Sequence, residues 1–225
     1  FVVSEPITLS EEYNPTYSYT FDRVNKRGYV ICGTNDEFPG FSEEIFDDNG
    51  ELIMEGFDVD ICRAVAAAVF GDVEAIEYEI VDGISRFTYL KDGTIDVLSA
   101  ATTYTFTRNV LKKFEFLPTT YYDGQGFMVP ASLDITSAVE LDGAFVCIAK
   151  ETTSELNLND YFAEQNMAYV PVYVEGNKDA KAKLFAGDCD VFTTDASGLA
   201  SARAGADNPD DWVVLPEIIS KEPLG

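Results

Sequence analysis

The chain has 225 residues, of which 46% are hydrophobic, and this suffices for one large domain or two small lobes. Its 40 acidic residues against 15 basic ones give a net charge of -25, which argues against nucleic acid as a partner because phosphate would be repelled. No apolar run approaches the roughly 20 residues of a membrane-spanning helix, so we expect no direct membrane insertion. The chain starts at Phe1 without an initiator Met, and we expect a processed chain whose signal peptide has been removed, or a fragment.

The first half of the chain predicts a leader followed by alternating strands and helices. Residues 1–27 show no clear period, and we interpret them as an extended N-terminal leader. A first strand is predicted at 28–32 and a second one at 93–98. Between them, residues 57–70 carry apolar side chains four positions apart, which indicates a helix.

The second half repeats this order. A strand is predicted from residue 143, where the G-x-x-x-C pattern of the first strand recurs, and another at 187–192. The stretches 155–165 and 178–185 between them are predicted to be helices. Because strands that alternate with helices form parallel sheets, the repeat predicts two similar α/β lobes, each a mostly parallel sheet flanked by helices.

The predicted lobes meet where two glycines interrupt an aromatic run, near residues 121–129. We therefore place lobe 1 at 28–124 and lobe 2 at 125–216, and we assign 217–225 to a second strand between the lobes. Two lobes joined in this way enclose a cleft that can close on a ligand by a hinge motion.

The four cysteines divide evenly between the two halves, as Cys32 and Cys62 in the first and Cys147 and Cys189 in the second. This distribution suits one disulfide within each lobe; four buried thiols that act as small apolar side chains are the alternative. The chain contains no histidine and no C-x-x-C motif, so the usual zinc sites are absent, and we predict neither a metal site nor a cofactor.

Residues 101–108 are the strongest functional signal on the lobe 1 side. They follow a predicted buried strand, and open α/β sheets bind ligands at the carboxyl ends of their strands. Arg108 supplies a fork of donors and Thr103 a neighbouring hydroxyl, which together suit a small carboxylate. The alternative is a surface turn with an unpaired arginine.

On the lobe 2 side, Thr152 and Glu155 form a capping-box sequence that predicts a helix start at Thr153. The free backbone N–H groups of Thr153 and Ser154 would then face the cleft and attract a negative group. A helix start that caps itself and binds nothing is the alternative.

Asp195 follows the other lobe 2 strand, at the position that corresponds to residues 101–108 in lobe 1. Its carboxylate would face an ammonium, so the cleft would carry the charge pattern of a free amino acid; a turn or N-cap aspartate is the alternative. Catalytic arrangements fit poorly, since Ser–His and Cys–His sites need a histidine and no phosphate-binding glycine motif is present.

From about residue 27 to 225 the chain resembles the solute-binding proteins of polar amino-acid ABC transporters, and most closely the general L-amino-acid binders. The motifs that carry the resemblance lie at 27–33, 56–71, 96–99 with 102–105, 121–130, 155–158 and 215–225. It implies a type II periplasmic-binding-protein fold with two hinge strands between the lobes. Relatives have cysteines at the same four places, which favours the two disulfides.

The resemblance also implies a ligand set. Arg108 would pair with the α-carboxylate, assisted by Thr103 and the amides near Thr153. The α-ammonium would lie between Asp195, the Ala101 carbonyl and Thr103. The side-chain pocket would be shaped by Tyr104, Phe38 and Thr152.

Departures from the family pattern concern both the pocket and the length. Glu151 stands where relatives usually have Gly, and its negative charge would weaken carboxylate binding or favour cationic ligands. Tyr104 replaces a common Trp, and Ala101 a common Asn. The chain ends at Gly225, where relatives continue back into lobe 1.

The resemblance predicts a monomeric periplasmic protein that binds free L-amino acids and delivers them to the inner-membrane permease of an ABC transporter. No bond would be made or broken. One alternative is an enzyme on the same scaffold, similar to cyclohexadienyl or arogenate dehydratase, and another is the ligand-sensing domain of a receptor.

Overall fold

The structure, a computed structural model, describes residues 19–225. Within them the strands are β1 (Val30–Thr34), β2 (Glu37–Phe38), β3 (Ser42–Phe46), β4 (Leu52–Glu55), β5 (Ile76–Ile80), β6 (Val97–Leu98), β7 (Tyr121–Asp123), β8 (Gln125–Pro130), β9 (Phe145–Ala149), β10 (Val170–Val174), β11 (Val191–Asp195), β12 (Trp212–Val214) and β13 (Glu222–Leu224). The α-helices are α1 (Tyr19–Arg27), α2 (Phe57–Phe70), α3 (Ser85–Asp92), α4 (Thr153–Glu164), α5 (Asn177–Ala186) and α6 (Ala196–Ala204). No helix within this range is long and apolar enough to cross a membrane.

Lobe 1 is built on a parallel sheet with the strand order β5-β1-β6. Helix α2 has the predicted bounds, and a disulfide between Cys32 and Cys62 joins it to β1. A small antiparallel sheet, β2-β3-β4, precedes α2 and was not predicted. The strand predicted at 93–98 is shorter than expected, because Gly93 adopts a left-handed conformation that ends α3.

Helix α1 corrects the prediction of an extended leader, which was wrong for residues 19–27. The buried side chain of Val24 packs with apolar residues of β1 and α2, so the helix contributes to the lobe 1 core. Arg23 and Arg27 both form ion pairs with the buried carboxylate of Asp96, and the Arg23 Nη2–Asp96 Oδ1 distance is 2.6 Å. These contacts join residues far apart in sequence, so no local period reveals them. The rest of the predicted leader, residues 1–18, lies outside the described residues.

Lobe 2 is a mixed five-stranded sheet in the order β10-β9-β11-β8-β12. The first three strands are parallel, as predicted, whereas β8 and β12 add antiparallel pairs. Successive side chains of β8 point to opposite faces: Phe127 packs against α4, and Met128 against α5 and α6. The second disulfide joins Cys147 and Cys189, so both predicted pairings are confirmed.

Strands β7 and β13 form a two-stranded antiparallel sheet between the lobes, in which Asp123 lies opposite Glu222. Gly124 links β7 to the first strand of lobe 2. A Cβ at this position would lie 2.4 Å from Ile218 Cγ2 and 2.8 Å from the Ser220 carbonyl oxygen, so the close packing of the two crossing segments requires glycine. These crossings are the two hinge strands that the resemblance implied.

Candidate ligand-binding cleft

A cavity of about 600 Å³ lies between the two lobes, and all of the predicted ligand-binding residues except Tyr104 line it. Lobe 1 contributes Phe38, Ala101, Thr103 and Arg108. Lobe 2 contributes Thr152, Thr153 and Asp195. The hydroxyl oxygens of Thr103 and Thr153 are 3.4 Å apart, so the walls of the cleft touch at this point.

Arg108 is buried in a π-helical turn, Thr107–Leu111, with only 6% of the residue exposed. Its Nη1 donates to the Thr103 carbonyl at 2.7 Å, which holds the guanidinium beside the 101–103 backbone. Burial lowers the pKa of Arg108, whereas the charges of Glu222 and Asp195 raise it. A buried guanidinium at a cavity wall is a ready partner for a carboxylate.

Asp58 fixes the backbone that presents this wall. Its buried carboxylate accepts from the Ser99 hydroxyl at 2.9 Å and from the Ala101 amide at 2.8 Å. Ala101 has a φ of 42°, a conformation that costs free energy in a residue with a Cβ and needs such an anchor. Asp58 was not predicted from the sequence, because its partners lie more than 40 residues away.

Arg86 is a second buried guanidinium in the cavity wall and was also missed. Its Nη1 donates to the Thr102 hydroxyl at 3.2 Å, while its Nε has no hydrogen-bond partner in the described part of the chain. Burial, and then the charge of Arg108, lower the pKa of Arg86 to about 9. Both guanidinium carbons lie over the Phe87 ring, at 4.8 Å for Arg86 and 5.0 Å for Arg108. Arg86 follows β5, so recognising that strand would have placed it at the same edge as Arg108.

The lobe 2 wall is the start of α4, as predicted. Thr152 is the N-cap, and its hydroxyl accepts from the Glu155 amide at 3.2 Å. The reciprocal half of the predicted capping box was wrong, since the Glu155 carboxylate accepts from the Glu151 amide instead. Glu151 itself has a φ of 60°, in the left-handed region. The first N–H groups of a helix lack intrahelical acceptors, so the amide of Thr153 is available to an anion in the cavity.

Asp195 ends β11 and holds the N-cap position of α6, yet its side chain makes no capping hydrogen bond. The helix is capped instead by Asp123 from the hinge strand, whose carboxylate accepts from the Ser197 amide at 3.3 Å and from the Ser197 hydroxyl. Burial, and then the charges of Asp123 and Glu222, raise the pKa of Asp195 to about 7. Because Asp123 caps α6, the carboxylate of Asp195, which lines the cavity, is not engaged by the helix.

Tyr104 is not among the residues that line the cavity, so its assignment to the side-chain pocket stays a prediction. Its ring packs edge-on against Phe116, with 5.2 Å between the centroids, and its amide donates to the Pro223 carbonyl at 2.7 Å. The extended backbone explains this placement: neighbouring side chains point to opposite sides, so Thr103 faces the cavity and Tyr104 does not. Phe38 stays in the cavity wall, where it stacks on Phe41.

Residues 30–203 match the family of bacterial extracellular solute-binding proteins, family 3. The chain belongs to this family. The glutamate/glutamine/aspartate/asparagine-binding protein BztA of Rhodobacter capsulatus is 50% identical over 206 residues, which are 92% of this chain and 60% of that protein. The general L-amino acid-binding periplasmic protein AapJ of Rhizobium johnstonii is 50% identical over 206 residues, 92% of this chain and 59% of its own length. The chain thus spans about three fifths of the length of these curated relatives.

The fold of this chain is also found among solved structures. An ABC transporter periplasmic binding protein from Brucella ovis with glutathione bound is 44% identical and has a TM-score of 0.85, covering 93% of this chain and 64% of that one. This likeness confirms the two-lobed α/β fold. The family and its relatives are named as binding proteins rather than enzymes.

Proposed function

We propose that this family 3 chain captures free L-amino acids between its lobes, as a monomer in the periplasm, and delivers them to the permease of an ABC transporter. The observation that carries the proposal is a single cavity with the buried guanidinium of Arg108 on one wall and the carboxylate of Asp195 on the other. Such a pair matches the two ends of a zwitterion. The names of BztA and AapJ support the same ligand class.

In this proposal Arg108 holds the α-carboxylate, with the Thr103 hydroxyl and the Thr153 amide as further donors. Asp195 and the Ala101 carbonyl hold the α-ammonium. Phe38 and Thr152 shape the space for the ligand's side chain. All of these groups line the cavity, and each lobe contributes some of them. A ligand that contacts both walls therefore favours the closed form.

Arg86 narrows the ligand class. A buried guanidinium in the cavity wall favours a ligand whose side chain ends in a carboxylate or an amide oxygen. The four ligands named for BztA all have such side chains. The exposed Glu151 is not among the cavity-lining residues, so the structure gives no support to its expected preference for cationic ligands.

A thermal-shift screen of the twenty amino acids, with glutathione added because the Brucella ovis protein holds it, tests the proposal. A ligand that binds only the native state raises its stability by RT ln(1 + [L]/Kd). We expect shifts with L-glutamate, L-glutamine, L-aspartate and L-asparagine that disappear in Arg108→Ala. Steady-state assays with prephenate and arogenate address the alternative: turnover of either would make this chain a dehydratase instead. Shifts with none of the compounds would refute amino-acid capture.

A further inference from the structure

The hinge carries two acidic side chains that the proposed ligand contacts do not use, Asp123 on β7 and Glu222 on β13; we call them the hinge acid pair. They lie opposite each other in the two-stranded sheet. Asp123 caps α6 in place of Asp195, which connects the hinge to the residue proposed to hold the ammonium. The hinge acid pair therefore lies directly behind the acidic end of the cleft.

Glu222 is almost completely buried, with 3% of the residue exposed. Its Oε1 accepts from Asn157 Nδ2 at 2.7 Å and from the Ser220 hydroxyl at 2.6 Å. Its Oε2 has no hydrogen-bond partner in the described part of the chain. A buried carboxylate that is only half satisfied makes the ionisation of a neighbouring acid costly.

Four charged side chains act on Asp195: Asp123 from β7, Glu222 from β13, Arg86 from α3 and Arg108 from the π-helical turn. Three carboxylates thus face two guanidiniums, and full ionisation would leave an excess negative charge in a buried place. Burial and the hinge acid pair hold the pKa of Asp195 at about 7, against the opposing effect of the two arginines. The other titratable side chains that line the cavity are Asp36, Asp82, Tyr89, Glu175, Lys178 and Asp179.

We propose that Asp123 and Glu222 are positioning residues that make the capture of an amine-bearing ligand at Asp195 release a proton. This inference rests on the proposed function. In the empty cleft at mildly acidic pH, Asp195 keeps its proton and the cluster is balanced. When the ligand's ammonium enters, it supplies the positive charge, the proton leaves Asp195 for the solvent, and the ligand remains a zwitterion. Amino-acid capture is thereby coupled to the pH outside the cell.

Isothermal titration with L-glutamine, L-glutamate and L-arginine between pH 5 and pH 8.5 tests the coupling. At pH 6, titrations in phosphate and in Bis-Tris, whose ionisation enthalpies differ, count the protons released. We expect about one proton per ligand at pH 6 and about none at pH 8.5, with the affinity falling about tenfold per pH unit below pH 7.

Two isosteric variants, Asp123→Asn and Glu222→Gln, separate charge from shape. Glu222→Gln keeps an oxygen that accepts the same hydrogen bonds from Asn157 and Ser220. Asp123→Asn keeps an oxygen for Ser197 but gives up the bond that the other Asp123 oxygen accepts from the Gly124 amide at 2.8 Å, so Glu222→Gln is the cleaner of the two. Each removes one negative charge beside Asp195, so we expect the onset of the affinity loss to move down by roughly one pH unit. Fewer protons should be released at pH 6. If the two residues had only a structural role, the variants would change the affinity but not the pH at which the affinity begins to fall.

Glu151→Gln is the matched control, because it removes the same charge from an exposed position that does not act on Asp195. Its pH profile should coincide with that of the parent chain. Affinity that does not depend on pH, with no proton released, would overturn the coupling. So would profiles of both hinge variants that match the control. Failure of every amino acid to bind at any pH would instead remove the proposed function itself.

Discussion

The two walls of the cleft are built differently. The lobe 2 wall consists of ends of regular elements, the start of α4 and the junction of β11 with α6, and its cap at Thr152 acts within a few residues. The lobe 1 wall is an irregular segment whose conformation depends on Asp58 and whose cations, Arg86 and Arg108, come from separate elements. The difference teaches that the wall held by distant contacts provides the positive charges of Arg86 and Arg108, whereas the wall built from element ends provides the first amides of α4 and the Asp195 carboxylate.

Removing Arg108 should have the largest effect on binding. Arg108→Ala takes the charged fork from the lobe 1 wall, and we expect a loss of about 2–5 kcal/mol in binding free energy for every amino acid. Arg108→Lys should restore only part of it, because an ammonium does not reproduce the fork. Titration calorimetry measures both; equal affinity of Arg108→Ala and the parent chain would show that the carboxylate lies elsewhere.

Arg86→Ala should have a narrower effect than Arg108→Ala, since Arg86 is proposed to contact only the ligand's side chain. We expect glutamate and glutamine to lose about 1.5–3 kcal/mol, the range for hydrogen bonds to a charged group, and alanine to lose little. Competition titrations with glutamate, glutamine and alanine measure the ratios of their affinities in the variant and in the parent chain. A uniform loss would instead place Arg86 at the α-carboxylate.

The anchors of the two walls can be compared by removing one at a time. Asp58→Asn replaces an acceptor of two hydrogen bonds by a group that can accept at one end only, so we expect a loss of about 1–3 kcal/mol in stability and weaker binding. Thr152→Ala removes one cap and should cost about 1 kcal/mol. Denaturant midpoints provide the stabilities. A larger cost for Thr152→Ala would reverse the contrast between the walls.

Asp195→Asn should stabilise the empty protein at pH 8 while weakening ligand binding, by less than Arg108→Ala does. The folded state raises the pKa of Asp195 from 3.8 to about 7, so it binds the proton more tightly than the unfolded state does. The stability contributed by this group is present at low pH and is lost as the pH rises through about 7. Asn does not titrate, and we expect a gain of about 1 kcal/mol at pH 8, roughly 2–4 °C in Tm, with none at pH 4. Thermal unfolding at both pH values, without ligand, measures it.

Glu151→Gly should give the smallest effect. Glu151 has a φ of 60°, a strained conformation for a residue with a Cβ, just before the N-cap of α4. Glycine removes this strain but adds entropy to the unfolded chain, so we expect a net gain of about 0.5–1 kcal/mol. Glu151→Ala, which keeps the Cβ, is the control. Equal denaturant midpoints for the two variants would assign any gain to charge rather than to backbone strain.

The regular elements and much of the cleft could be predicted from the sequence. The apolar period of α2 and the cap at Thr152 are local patterns, and the structure confirms them. Arg108 and Asp195 were found because each follows a recognisable strand. Arg86 was not predicted because strand β5, which precedes it, was not predicted. Helix α1 was not predicted because its contacts are distant in sequence: Val24 packs on β1, and Arg23 and Arg27 pair with Asp96.

The sequence by itself determined helices α2, α4 and α5 and the charged residues at the strand ends, because these depend on neighbours along the chain. Only the tertiary structure decided that Asp58 holds Ala101, that Asp123 caps α6 and that Glu222 lies behind Asp195. Those contacts join residues 43 to 74 positions apart or cross the hinge. Burial sets their strength, and burial exists only once the two lobes have folded and packed.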